Sequence, residues 1–188
     1  MHALAFLILL SLSPNDSSDN GILYRQLTWS DYKSRPPLAE PLVAARTMTQ
    51  PKMETVEQDG IYCYSVKAYF LPYSSFARVK TDDVLRHEQT HFKIAHLLAL
   101  ECMGDLHVLQ HGDSTSASHA ENVYNSYVER NDALNDQFDQ ETDHSLNKKE
   151  EKAWEFRITE ELTNIQKPSA PSKNISRKNT NGSRYSQP

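Results

Sequence analysis

Residues His87-Glu88-Gln89-Thr90-His91 carry the pattern H-E-x-x-H in the middle of the chain. On a helix, side chains four apart share one face. Two imidazoles so placed can bind one Zn²⁺ at about 2.0–2.1 Å. Glu88 follows the first histidine directly, which lets its carboxylate face a metal-bound water and take the proton as that water attacks a carbonyl. A catalytic zinc takes three protein ligands and keeps an open position. Downstream, Asp139-Gln140-Glu141-Thr142-Asp143-His144 is dense in potential ligands. His144 is expected as the third ligand, because a third imidazole leaves the ion its full charge and nearby carboxylates can accept ligand N–H groups. Glu121, on a later helix, is the alternative. Asp139 and Glu141 are candidates as ligands or as acceptors behind the imidazoles.

These residues need a helix to carry them. Thr81 suits an N-cap, and Asp82 and Asp83 suit the positive end of the dipole. Val84, Leu85, Phe92, Ile94, Leu97 and Leu98 make the helix apolar enough to be buried. It is expected from about Asp82 to Met103, with Gly104 as its stop. Upstream, the pattern predicts short strands over 22–27 and 43–49. It also predicts a hairpin of 52–57 and 61–71 through Asp59-Gly60, with Tyr62, Tyr64, Val66, Ala68 and Phe70 on one face. Trp29 to Tyr32 reads as a single helical turn. After a polar loop at 112–118, a second helix is expected over 118–138 and a third over 148–165, the latter capped by Asn147. The fold class is therefore α+β: a small antiparallel sheet with hairpins, then three helices, the first bearing the motif. Tyr124, Tyr127 and His119 are candidate donors to a developing oxyanion.

The chain has 188 residues and a net charge of -5, enough for one domain plus tails. Five basic residues and no acid lie in 167–188, leaving -10 on residues 1–166. An acidic body argues against nucleic acid as a partner. Residues 167–188, rich in Ser, Asn, Pro and Lys, are expected to form a disordered basic tail. Residues 1–20 combine an apolar run with a polar follow-on. That run is too short to span a bilayer and suits a secretory leader, although Lys and Arg are absent from its start. Cleavage would place the domain at 21–166 outside the cytoplasm, secreted or periplasmic. No later segment suits a transmembrane span. Export would permit a disulfide between Cys63 and Cys102; two buried thiols are the equal alternative.

Several pieces resemble the bacterial domain-of-unknown-function family 922, described as predicted secreted zinc-dependent proteases. They are Leu27-Thr28-Trp29-Ser30-Asp31-Tyr32-Lys33 with Pro36-Pro37, Ala44-Ala45-Arg46-Thr47, Leu85 to Ala95, and Phe138 to Ser145, with Trp154 in the last helix. They run in family order over about 22–165. The family commonly has Tyr and Gly where this chain has Phe138 and Ser145, and Ser-Trp where it has Ser75-Phe76. The resemblance implies a zincin-like domain cutting a peptide or protein substrate. The rival expectation is a zinc-stabilised binding module of the cell envelope without turnover. Glu88 discriminates the two, since a purely structural site needs no carboxylate there.

Overall fold

The computed structural model describes residues 21–58, 61–107 and 114–167. The expected leader and most of the expected tail lie outside them. Strand β1 (Ile22–Leu23) precedes a 3-10 turn at Trp29–Asp31, and β2 (Ala45–Arg46) precedes β3 (Thr49–Gln58) and β4 (Ile61–Phe70). After β5 (Phe76–Ala77) come three helices, α1 (Asp82–His107), α2 (Ser114–Thr142) and α3 (Lys148–Gln166). The larger sheet is antiparallel in the order β1-β4-β3, and β2 pairs antiparallel with β5. The fold is α+β, as the alternation of patterns implied.

The β3–β4 hairpin keeps strict register from Thr49 opposite Phe70 to Gln58 opposite Ile61. Period-two alternation puts Tyr64, Val66, Ala68 and Phe70 on the buried face. The strands expected over 22–27 and 43–49 are shorter than that. Residues after Leu23 bend into the 3-10 turn, where the Asp31 carboxylate accepts from the backbone N–H of Thr28 at 2.8 Å and from Arg25 at 2.6 and 3.0 Å.

Helix α1 is the centre of the molecule, buried on two sides. Phe92, Ala95, Ala99, Cys102 and Leu106 recur at three- and four-residue steps and pack against Tyr64, Val66, Ala68 and Phe70 of the sheet. Ile94, Leu97 and Leu98 form a second stripe that packs against Phe138 of α2 and Trp154, Ile158 and Leu162 of α3. Thr81 caps the helix, its hydroxyl accepting from the Val84 N–H at 3.3 Å. Gly104 does not end it. The helix continues to His107, and open space surrounds the position where a Cβ would stand.

Helix α2 begins at Ser114 and ends at Thr142, four residues either side of its expected span. Its end is made by three consecutive non-glycine residues with positive φ, Asp143 (48°), His144 (49°) and Ser145 (76°). The Asn147 side chain then accepts from the Glu150 N–H and starts α3. Cys63 is exposed and Cys102 buried, and both are free thiols. No helix among the described residues is long and apolar enough to cross a membrane.

Candidate metal centre

His87 and His91 lie on the side of α1 that faces α2 and α3, in line with Ile94 and Leu98. Between the helices, His87 Nε2 and His91 Nε2 are 3.2 Å apart. Asp139 Oδ1, from the last turns of α2, stands 3.0 Å from the first and 3.1 Å from the second. Among the described residues this trio is the one group of acidic, His and Cys side chains whose atoms converge tightly enough to hold a metal ion. His87 is buried, and access is from the Asp139 side.

The outer nitrogens fix the proton positions. His87 Nδ1 faces Glu151 Oε2 at 3.1 Å, and both side chains are 6% exposed. A carboxylate accepts, so this nitrogen donates. His91 Nδ1 is 2.7 Å from Asn135 Oδ1. The Asn135 amide nitrogen donates to the Asn131 carbonyl at 2.8 Å, which leaves its oxygen to accept from His91. In their neutral forms the two rings would therefore turn bare Nε2 lone pairs towards one carboxylate oxygen. Three electron-rich atoms at this separation repel one another unless a cation lies among them. Burial disfavours the charged His87 ring, but its hydrogen bonds to the Asp139 and Glu151 carboxylates outweigh it and raise the ring to about 9. Burial likewise opposes ionisation of Asp139, yet the two histidines hold its carboxyl well below the usual range.

Phe138 seats the imidazoles. Its ring stacks on His87 at 4.6 Å, meets His91 edge-on at 4.9 Å and is backed by Trp154 at 5.4 Å. Glu88, one position along α1 and so about 100° around it, points to the sheet side and is 3% exposed. Its Oε2 has no hydrogen-bond partner. Burial raises its pKa, and the charges of His91 and His87 with the Thr47 hydroxyl pull it back in part. Gln89 ties the N-terminal segment to α1, accepting from the Leu27 N–H at 2.6 Å and donating to the Arg25 carbonyl at 3.3 Å.

The structure brings Asp139, and not His144, together with His87 and His91. His144 is not in the group: its ring is 76% exposed and its Nδ1 is 3.8 Å from the other Asp139 oxygen. The reason is helical phase, because α2 ends at Thr142 and the left-handed turn carries His144 off the helix face. Glu121 is exposed on α2, about 27 Å before Asp139 along the axis. It lines a separate groove of about 480 Å³ with Tyr62, Tyr64 and Tyr124. Glu141 does not support an imidazole; it accepts from Trp154 Nε1 at 2.7 Å and from Gln137. Of the suggested oxyanion donors, the Tyr124 hydroxyl binds the Pro51 carbonyl and the Tyr127 hydroxyl binds Asp105, while His119 is exposed.

Glu151, Asn135 and Asn131 join the histidines here and were not singled out by sequence reasoning. The asparagines had a signal: Asn131, Asn135 and Asp139 fall at four-residue steps on one helix face, one position after Leu134 and Phe138. Glu151 had none, being one acid in Lys148-Lys149-Glu150-Glu151-Lys152. Comparison with known proteins yields no matching family model, curated protein or solved structure.

Proposed function

We propose that the chain is a zinc-dependent peptide-bond hydrolase with His87, His91 and Asp139 as metal ligands and Glu88 as general base. The observation that carries this reading is the triangle of Nε2, Nε2 and Oδ1 atoms with edges of 3.0, 3.1 and 3.2 Å. Ligand atoms about 2.0–2.1 Å from a tetrahedral Zn²⁺ are separated by about 3.3–3.4 Å, so the three atoms already lie close to one face of such a site. The chemistry of the set fits as well: two neutral imidazoles with their outer N–H groups accepted by Glu151 and Asn135, and one ionised carboxylate.

Bound there, zinc would supply an acidified water and a polarised carbonyl. The protein's own residues do the rest. Glu88 keeps one oxygen unpartnered in a buried setting, suited to take a proton and pass it to the leaving amine. Asp139, with one oxygen towards the histidines and its side chain 31% exposed, marks the side from which a substrate would enter. His144 stands on that rim, free to donate to charge developing on the carbonyl oxygen. The motif pieces shared with domain-of-unknown-function family 922 support the same reading, and with it a leader and export, which the polar follow-on at 15–20 also favours.

Elemental analysis of protein purified without chelator should give one zinc per chain. Glu88→Gln should keep that zinc and lower hydrolysis of a mixed peptide library by about 10²–10⁴-fold. Full zinc with no turnover in the parent would favour the binding-module alternative, and a stable protein without zinc would refute both.

A further inference from the structure

Among the described residues β3 is an edge strand, paired with β4 on one side only. The Leu71 N–H donates to the Met48 carbonyl at 2.8 Å, and on the other side of β4 the Tyr24 N–H donates to the Ala68 carbonyl at 3.2 Å. With Thr49 opposite Phe70, antiparallel alternation then turns the backbone groups of Pro51, Met53, Thr55 and Glu57 away from β4. Helix α2 closes one end of this edge, where the Tyr124 hydroxyl donates to the Pro51 carbonyl at 2.8 Å. Beyond it, the Thr55 and Glu57 N–H groups have no acceptor among the described residues. Such an edge is a template for a further strand. It borders the groove of about 480 Å³ that Thr55, Tyr62, Tyr64 and Glu121 line, well away from the metal centre. Tyr64 is 7% exposed, and its hydroxyl has no hydrogen-bond partner.

Charge and position point to one occupant. Glu57 stands opposite Tyr62 on the groove face of the hairpin, and Glu121 stands on the α2 side. Both are exposed, and neither pairs with a base among the described residues. Lys52 belongs to the other face, its ammonium 5.4 Å from the Tyr69 ring centre. Residues 168–188, outside the described ones, hold Lys173, Arg177, Lys178 and Arg184 and no acid. Pro168 and Pro171 are followed by no proline until Pro188, so the stretch between can pair as a strand. In Lys173-Asn174-Ile175-Ser176-Arg177, period-two alternation puts Lys173, Ile175 and Arg177 on one face. One apolar side chain between two bases complements a tyrosine floor between two acids. Helix α3 runs parallel to α1, from Glu151 beside His87 to Thr159 beside Lys93. Helix α2 runs antiparallel to it, with Asn135 beside His91 and Tyr127 beside Asp105. The end of α3 and the start of α2 therefore lie towards the same end of α1. From Gln166 to Ile175 the chain reaches up to about 30 Å, roughly three helix diameters.

We propose that Lys173 to Arg177 of the same chain adds to the Thr55–Glu57 edge of β3 as a fourth strand of the larger sheet. Ile175 then covers Tyr62 and Tyr64, and Lys173 and Arg177 meet Glu57 and Glu121. Backbone hydrogen bonds hold the added strand, and it covers an edge open to pairing with other chains. The tether keeps its effective concentration on the order of millimolar. This inference is independent of the hydrolase reading. The test is amide hydrogen exchange at Thr55 and Glu57, followed by NMR on the full chain. The parent is compared with Lys173→Glu/Arg177→Glu, with Glu57→Lys/Glu121→Lys, and with the quadruple variant that exchanges the charges. Docking at about 90% occupancy slows exchange about tenfold. The parent should show at least that protection, each double variant should lose it, and the quadruple variant should regain most of it. Both altered acids are exposed, so the core is untouched. Unprotected amides in the parent overturn the proposal, as does protection that survives both charge reversals. Failure of the quadruple variant to regain protection overturns it as well. So does protection that grows with protein concentration, since a second copy would then supply the strand.

Discussion

Glu151→Leu tests the proposed metal site through a residue that would not touch the ion. In the structure Glu151 Oε2 is the acceptor for His87 Nδ1 at 3.1 Å, with both side chains 6% exposed. Leucine fits the space between helices but accepts nothing. The His87 N–H is then buried without a partner, a penalty of about 1–3 kcal/mol, and the ring is free to rotate its Nε2 away from Asp139. Partners of this kind are worth about 10–100-fold in metal affinity, or about 1.4–2.7 kcal/mol. Glu151→Gln retains an acceptor oxygen and should sit at the lower end. Competition with a fluorescent chelator gives the affinity directly. Thermal melts give it by linkage: each tenfold weakening removes about 1.4 kcal/mol of zinc-dependent stabilisation at saturating metal, or about 3–6 °C of the zinc-induced rise in Tm for a domain of this size. The comparison is made within each variant, with and without zinc, so that any effect on the metal-free fold cancels. Zinc affinity within about twofold of the parent in Glu151→Leu would refute the claim that this carboxylate orients His87 for a metal.

The proposed third ligand gives the sharpest contrast: Asp139→Ala should weaken zinc by more than the ~10–100-fold typical of an outer partner, whereas His144→Ala should leave affinity nearly unchanged, both read by the same competition. Ser145 holds φ at 76° without being glycine; Ser145→Gly should raise stability by about 1 kcal/mol in urea unfolding, because left-handed backbone costs a residue with a Cβ about 1–2 kcal/mol. Asp31→Ala should cost about 1–2 kcal/mol, having lost its bonds to Thr28 and Arg25. Burial opposes the Asp31 charge, but those bonds hold its pKa below the unfolded value of about 3.9. Its stabilisation is therefore present above that value and lost as pH falls through the lower folded one, so the Asp31→Ala protein should show a shallower acid limb between those two pH values.

Local chemistry made much of the molecule readable from sequence. Thr81 with Asp82 and Asp83 starts α1, Asn147 starts α3, and period-two alternation on either side of Asp59-Gly60 gives the hairpin, because each signal acts over a few residues. Four-residue spacing alone put His87 and His91 on one face. The signals that failed were also local. Gly104 suggested a stop, but a solvent-facing glycine inside a helix costs only about 1 kcal/mol, which the packing of Cys102 and Leu106 overrides. The end of α2 carried no glycine, so nothing marked the left-handed turn at Asp143–Ser145. With the helix ended at Phe138, Asp139 and His144 read as equivalent loop residues. With it continued to Thr142, Asp139 joins Asn131 and Asn135 on the face towards α1, and His144 turns to solvent. Glu151 illustrates the same limit. It reads as a solvated helix-start acid. What it does depends on where α3 comes to rest against α1, and that is set by the packing of Trp154 and Phe138 rather than by any neighbour in sequence.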